Sequence, residues 1–454
     1  MRFKMSPADL LHKIKVDKVD FINLQFSDMM GMAKSVTIPA PKIKDTLEFG
    51  LWFDGSSVEG FTRIFESDML LKPDVNTYAV IPWLAKNDSN IARVICDVYM
   101  PDGEPYSGDP RYILKKVVKE AEDMGFKYYT GPELEFFLFK MDNGRIKTSD
   151  NKVIETHDTG QYFDLVLDLG YDIRREMMEA LSAMDIDVET SHHEVAPGQH
   201  EIDFKYGDAV STADRVMTFK YTLKAIAQKH GIHATFMPKP ITGINGSGMH
   251  VHQSLFSMDG KTNLFFDKKD KYFLSETAYQ FMAGQMQHVK AMAAFLNPTV
   301  NSYKRLVPGY EASTYICWAQ KNRSALIRVP RYSPGKETST RFEIRNPDPS
   351  SNPYLAFAVL LKAGLDGIKN KMSVPPPVEE DVFEFDEKML ESRHIEFLPY
   401  SLWRAMKALE NNSVISAVFD DNFIQKYINA KRNEWDSFRI QVTQWELDRY
   451  LELI

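Results

Sequence analysis

Only two cysteines, Cys96 and Cys317, occur in the 454-residue chain. Neither sits in a C-x-x-C spacing, so a disulfide framework and a thiolate zinc site are both excluded, and a reducing, cytoplasmic setting is expected. Long apolar runs are missing too. Met1-Arg2-Phe3-Lys4-Met5-Ser6-Pro7 lacks the apolar stretch of a signal peptide, and no later segment is uninterrupted enough to span a bilayer, so no membrane association is expected. There is no basic excess: 55 Lys and Arg against 63 Asp and Glu give a net charge of -8, which argues against a nucleic-acid partner. The glycine-rich Gly243-Ile244-Asn245-Gly246-Ser247-Gly248-Met249-His250 lacks the Lys-[Ser/Thr] of a Walker A loop. His193-Glu194 does not extend to H-E-x-x-H, and Pro197-Gly198 would break such a helix.

What is present is an ordinary globular composition, 44% hydrophobic and 26% charged, in a chain longer than a single core normally supports. Two domains are expected. Four short stretches alternate charged and apolar residues with the period of a strand. In Gly131-Pro132-Glu133-Leu134-Glu135-Phe136-Phe137 the two glutamates share one face, and Glu201-Ile202-Asp203-Phe204, His250-Val251-His252 and Arg341-Phe342-Glu343-Ile344-Arg345 repeat the pattern. A half-buried strand facing water reads the same way. The recurrence is what matters: two carboxylates on one strand face lie about 7 Å apart and repel by roughly 2–3 kcal/mol at an effective dielectric of ~20, so a recessed cluster of them calls for cations. Glu133, Glu135, Glu194, Glu201, His250 and Glu343 are the candidate ligands. Carboxylates with one imidazole and no thiolate favour hard divalent ions, Mg²⁺ or Mn²⁺, and arginines beside them point to phosphate chemistry.

Ser6-Pro7-Ala8-Asp9 starts a helix, with Ser6 as its cap. Ile22, Leu24 and Phe26 then alternate along a strand that returns as a hairpin over 32–38, with further strands around 77–81 and 92–98. The turn-rich stretch 101–110 is the expected domain boundary, and Asp109-Pro110 opens a helix ending near Gly125. The apolar helix over 279–296 carries Gln280, Gln287, His288 and Lys290, so it is expected to be buried or interfacial. The segment 374–381 is expected to be an exposed acidic loop. The tail 445–454 is either an arm that docks on a partner or a tail buried in its own chain.

Taken in order, Phe53-Asp54-Gly55-Ser56-Ser57, Gly131 to Phe136, Glu194-Val195-Ala196-Pro197-Gly198-Gln199-His200-Glu201, Asn245 to His250, Asn301-Ser302-Tyr303-Lys304-Arg305-Leu306, Asn322-Arg323-Ser324 and Arg341 to Arg345 resemble the type I glutamine synthetases over essentially the whole chain. The resemblance implies an α+β fold. A small N-terminal β-grasp-like domain would span 1–104, and a large catalytic domain, 105–454, would carry a curved antiparallel sheet flanked by helices. It implies ATP-dependent ligation of ammonia to the γ-carboxylate of L-glutamate through γ-glutamyl phosphate, with two or more Mg²⁺ or Mn²⁺ ions per site. One ion would be held by Glu135, Glu194 and Glu201, the other by Glu133, His250 and Glu343.

By the same resemblance His252, Ser254, Arg328 and Arg341 contact ATP, while Arg305 and Arg345 hold glutamate with the Asn245-Gly246 backbone. Arg323 stabilises the transferred phosphoryl group, Asp54 binds and deprotonates ammonium, and Glu311 shields the intermediate. Asp54 would enter a neighbour's site within a homo-dodecamer of two stacked six-membered rings. The family's adenylylated members carry a tyrosine in the loop replaced here by Lys371-Met372-Ser373-Val374-Pro375, and no tyrosine lies between Tyr354 and Tyr400. The chain therefore resembles the short alpha subclass, controlled by effectors or partner proteins, with Arg63 matching an arginine linked to glutamine feedback. The rival readings are an amine ligase on the same scaffold, disfavoured by the presence of both Asp54 and Glu311, and a non-catalytic relative, disfavoured by the retained ligands and arginines.

Overall fold

The computed structural model describes residues 5–58, 68–86, 89–148, 154–310 and 312–454. The N-terminal helix Pro7–Val16 begins as expected: Ser6 accepts from the Asp9 backbone N–H, and the Asp9 carboxylate accepts in return from the Ser6 N–H. It packs on a six-stranded sheet made of β1 (Val19–Ser27), β2 (Ala33–Pro39), β3 (Leu51–Asp54), β4 (Asp68–Pro73), β5 (Ala79–Val80) and β6 (Asn90–Tyr99). The order is β2-β1-β6-β4-β3, with β5 also on β6. The β1–β2 hairpin turns at Asp28, whose carboxylate accepts from the Met30 and Met32 N–H groups at 3.0 and 2.8 Å. The strand expected over 77–81 shortens to β5 because Asp74 caps a tight 3₁₀ turn, Val75–Thr77, that uses up its first residue.

The second sheet has eleven strands: β7 (Lys127–Asp142), β8 (Arg145–Ile146), β9 (Val188–His193), β10 (Gln199–Phe204), β11 (Gly207–Asp208), β12 (Ile232–Thr235), β13 (Met249–Phe256), β14 (Tyr315–Ala319), β15 (Ala325–Arg328), β16 (Phe342–Ile344) and β17 (Glu396–Phe397). Its main path runs β17-β14-β15-β16-β13-β7-β10-β9, antiparallel except for the parallel pair β14–β15. The 16-residue β7 is the common partner of β8, β10, β11, β12 and β13. One face of β7, with Leu134, Phe136 and Leu138, is buried against the helix Ala209–Lys229, where Phe136 meets Phe219 edge-on. The other face is left to the charged residues. Behind β13 the expected apolar helix, Glu276–Leu296, is buried against Pro353–Lys369. A Cβ at Gly284 would lie 2.1 Å from the Ala363 carbonyl, so the two backbones meet at a distance that only glycine allows.

One expectation changes in three dimensions, and one open choice narrows. The segment 374–381 is not a free acidic loop: the Trp318 indole N–H donates to the Pro375 carbonyl at 2.6 Å, Glu379 accepts from the Gln320 and Lys321 N–H groups, and Val378 is buried. Glu379 and Asp381 cap backbone N–H groups and Glu380 pairs with Arg393, roles composition does not announce. The C-terminal helix Gln444–Tyr450 and the residues after it are exposed, Ile454 fully, so the tail is not buried in its own chain. No described helix is long and apolar enough to cross a membrane, and both cysteines are buried.

One buried guanidinium ties the sheets together. Arg111 donates bidentately to Asp214 of the helix Ala209–Lys229 at 2.9 Å, and to Asp97 of β6 and Asp74, just after β4, at 2.7 Å; the Tyr354 hydroxyl completes Asp214. Removing one member of such a buried cluster strands the remaining charges, at a cost of about 3–5 kcal/mol. Arg111→Met is expected to lower stability by that amount in urea denaturation. Arg111→Lys should recover only part of it, because an ammonium cannot reproduce the fork; full stability of Arg111→Met would contradict the assignment.

Candidate active site

Strand register assembles the charged face. Glu133 pairs directly with His250 across β7–β13 and with Asp203 across β7–β10, Glu135 pairs with Glu201, and Glu343 of β16 stands opposite both His252 and Arg328. Two groups of ligand atoms result, each within 4.8 Å: Glu133, His250 and Glu343, and His192, Glu194 and Glu201. His250 Nδ1 is 3.4 Å from Glu343 and 3.8 Å from Glu133. His192 lies 3.6 Å from Glu194 and 3.3 Å from Glu201. Glu135 bridges the groups: one oxygen is 4.0 Å from His250, and the other accepts from Gln199 Nε2 and the Gly248 N–H at 2.9 Å.

The electrostatics follow burial. Burial together with Glu194 pushes Glu135 up to about 8, and burial with Asp203 and Glu135 raises Glu201 well above the carboxylate range. Burial would raise Glu133 and Glu343 as well, but His252 and His250 beside the first, and Arg345 and His252 beside the second, outweigh it and hold both low. His250 falls to about 4 through burial and Arg345, so its imidazole is neutral at physiological pH and has a lone pair to offer. Arg341 Nε donates to His252 Nδ1 at 3.1 Å, which leaves the His252 proton on Nε2, donated to Glu133 at 2.6 Å.

Two cavities open beside these groups. The larger, about 360 Å³, is lined by Glu133, His252, Ser254 and Arg341 together with Tyr129, Phe204 and Tyr206. The smaller, about 30 Å³, is lined by Glu135, Glu194, Gln199, Asn245, Gly246, His250, Arg305, Tyr310 and Arg345. Arg328 lines neither; it holds Glu343 at 3.0 Å. Arg305 is 3% exposed and donates to the Asn346, Pro347 and Arg345 carbonyls. Arg345 donates to Glu343 and keeps a buried Nε with no hydrogen-bond partner among the described residues. Arg323 is exposed between β14 and β15, and Asp54 is exposed at the end of the edge strand β3, where Ser56 donates to it twice. Arg63 and Glu311 lie outside the described residues.

The glutamine synthetase catalytic-domain model matches residues 107–450, and the glutamine synthetase beta-Grasp-domain model matches 18–101. The chain belongs to the glutamine synthetase family. A Staphylococcus aureus glutamine synthetase is 50% identical over 438 residues, 96% of each chain, and a Halobacterium salinarum one is 51% identical over 444, 98% of this chain and 96% of that one. Among solved structures, a Plasmodium falciparum glutamine synthetase matches with a TM-score of 0.87 at 28% identity over 99% of both chains. A GmaS/ADP complex matches at 0.86 with 31% identity, covering 98% of this chain and 99% of that one.

Membership of the family implies use of ATP and a divalent metal, and the donors fit a hard divalent ion: carboxylates and imidazole, with Glu135 and Glu201 raised by burial and then by neighbouring carboxylates, both of which a cation relieves. Sequence reasoning missed His192, which differs from His193 only in the face of β9 it takes. It also missed the aromatic wall of the larger cavity, where Gly131 permits Tyr206 to approach: a Cβ there would lie 3.1 Å from Tyr206 Cβ. A third missed group is fully buried. Asp158 accepts from His193 Nε2 and the Gly198 N–H at 2.9 and 3.0 Å, His193 Nδ1 donates to the Glu194 carbonyl at 2.6 Å, and Arg174 joins Asp168 to His200. Because Arg174 donates to His200 Nδ1, the proton of His200 stays on Nε2, so this group braces the β9–β10 turn instead of ligating a metal.

The raised carboxyls set a pH dependence. An acid whose pKa is higher folded than unfolded withdraws stability as pH climbs from its unfolded value, near 4.5, to its folded one, about 8 for Glu135. Metal relieves that penalty and is favoured by ionised ligands. The rise in melting temperature on adding saturating Mg²⁺ or Mn²⁺ should therefore be larger at pH 8.5 than at pH 6, read by differential scanning fluorimetry. An equal shift at both would remove Glu135 and Glu201 from the ion's surroundings.

Proposed function

We propose that the chain joins ammonia to the γ-carboxylate of L-glutamate with ATP as the activating co-substrate, through γ-glutamyl phosphate. The observation that carries this reading is one acid-histidine group that reaches two cavities: Glu133 lines the large one, fit for a nucleotide, while His250 lines the small one rimmed by Arg345 and Arg305, where Glu194 of the second group also stands. A carboxylate is a poor electrophile, so its oxygen must be turned into a leaving group before ammonia attacks.

ATP fits the larger cavity, its base against Tyr206, Phe204 and Tyr129, and its phosphates toward Ser254, His252 and Arg341. Arg341 fixes the His252 tautomer as well as presenting charge. Glutamate belongs at the smaller cavity, which at about 30 Å³ must widen to admit it. Arg345, with a free buried Nε, is its best-supplied carboxylate donor, and Arg305, engaged with three carbonyls, shapes the site. Divalent ions held by Glu133, His250 and Glu343, and by Glu135, Glu194 and Glu201 with His192 beside them, supply the charge that neutralises the phosphates. Arg328 orients Glu343, and Arg323 meets the transferred phosphoryl group.

Ammonium must lose a proton to become a nucleophile. Asp54 is kept low by the Ser56 hydroxyl and N–H, so it remains an anion able to attract ammonium, and Glu311 completes the shield around the intermediate. Its exposure on an edge strand, away from both cavities of its own chain, favours service in a neighbour's site. The exposed tail and the exposed Leu165, Val166, Leu167 and Leu169 favour assembly, in our reading a homo-dodecamer of two hexameric rings. With no tyrosine between Tyr354 and Tyr400, we assign the short alpha subclass, cytoplasmic and controlled by effectors, with Arg63 in glutamine feedback.

The decisive assay measures phosphate and glutamine from ATP and glutamate, offering ammonia, methylamine or a diamine. Ammonia should give the highest kcat/KM by at least tenfold, and preference for an amine would assign the chain to amine ligation. The shared site has its own test. Asp54→Ala and Glu343→Gln homo-oligomers should each be nearly inactive, whereas random co-assembly in equal amounts restores both halves to about one site in four, on the head-to-tail geometry of a closed ring. Inactivity of verified mixed oligomers would place Asp54 in its own chain's chemistry or in none.

A further inference from the structure

We propose that Lys239 is a positioning residue that fastens Tyr310 to the glycine-rich loop 243–248 and thereby keeps water out of the glutamate cavity. Lys239 lies between β12 and β13, and its backbone is clamped on both sides by Asn301: its N–H donates to Asn301 Oδ1 at 2.8 Å and its carbonyl accepts from Asn301 Nδ2 at 3.0 Å. Next to it, the Pro238 carbonyl accepts from the Ser247 N–H at 2.8 Å, so both ends of the loop are pinned at this point. Lys239 as a whole is 8% exposed. Its ammonium donates to the Ile244 carbonyl and sits 3.8 Å from the centre of the Tyr310 ring.

A buried ammonium needs partners, and among the described residues this one has a carbonyl and an aromatic face. The ring belongs to the rim of the glutamate cavity, and the carbonyl belongs to Ile244, next in sequence to it. Tyr310 forms part of its wall, and the loop contributes Asn245 and Gly246. Gly246 is held tightly: a Cβ would lie 2.2 Å from the Pro238 carbonyl and 3.3 Å from both Lys239 Cδ and Arg305 Cγ. Its carbonyl accepts from Gln199 Nε2 at 3.1 Å, and the same amide donates to Glu135. Lys239 thus joins the wall nearest solvent to the wall nearest the acid cluster. The cavity between these walls is about 30 Å³, room for about one water.

This inference rests on the acyl-phosphate reading above. When the wall is loose, water competes with ammonia: its oxygen bonds to the acyl carbon, the carbon–oxygen bond to phosphate breaks, phosphate leaves with the electron pair, and a proton goes to solvent. The products are glutamate and phosphate, and no glutamine forms. A residue that only stabilised the fold would lower activity without altering the ratio of the two products.

The test compares the full-length parent with Lys239→Met, Lys239→Arg, Tyr310→Leu and the Lys239→Met/Tyr310→Leu double variant, measuring phosphate, glutamine and the glutamate KM at saturating ammonia. The parent should release phosphate and glutamine in equal amounts. Lys239→Met should raise the glutamate KM about tenfold, the scale of a desolvated cation–ring contact, and release phosphate in excess over glutamine. Tyr310→Leu should do the same, the double variant should be no worse than either, and Lys239→Arg should restore the coupling. Equal products and an unchanged KM in Lys239→Met overturn the proposal. If Lys239→Met does not fold, Tyr310→Leu decides by the same criterion, and a parent that makes no glutamine at all defeats the acyl-phosphate reading itself.

Discussion

The site depends on the pairing of one strand. β7 is a shared partner for five others, and its alternation of Glu133 and Glu135 with Leu134 and Phe136 is satisfied only if the apolar side meets the helix Ala209–Lys229 and the acidic side meets β10 and β13 in the observed register. A slip of one residue would bury the glutamates under the helix and turn the phenylalanine outward. The hydrophobic core therefore sets the positions of the metal donors, and the repulsion among the acids is tolerated because the core's preference is larger. Glu133 and Glu343 are kept anionic by histidines and arginines, whereas Glu135 and Glu201 are poorly compensated. This uneven balance gives the site its appetite for cations.

Rigidity around the acids comes from neutral and ion-paired groups behind them. Asp158, His193 and Gly198 hold the turn that carries Glu194, while Gln199 couples Glu135 to the glycine-rich loop. Arg341 and His252 fix each other's hydrogen bonds before any nucleotide arrives. The donors are thus placed by partners that are not themselves donors, so little reorganisation is left to the donors when substrates bind.

The strands and their polar faces were legible because a period of two survives in the sequence wherever one face is buried and the other is not; Glu133, Glu135, Glu201, His250 and Glu343 all fall on such strands. The helix starts at Ser6 and Asp109 were legible through capping chemistry. What escaped depended on contacts between distant segments. His192 and His193 are neighbours whose opposite roles follow from which side of β9 faces β10's acids, and Lys239 in a Pro-Lys-Pro stretch gives no local sign of a ring 71 positions away. The acids of 374–381 looked solvated by composition, yet Glu379 caps backbone N–H groups at 320 and 321. Local pattern reports which face a side chain takes; partners from elsewhere decide what it does there.

The Arg111 cluster bears on how this protein can be cut. The polypeptide passes between its two sheets through the turn at 101–108, yet the charges of Asp74 and Asp97 are answered across that turn by Arg111 and Lys115. Covalent continuity and electrostatic continuity run by separate routes. A protease that nicked the turn would sever the first and leave the second, so the fragments would stay together as one particle under native conditions. Made alone, the N-terminal piece would leave Asp74 and Asp97 without their guanidinium and ammonium, while Arg111 in the other piece would keep Asp214 alone.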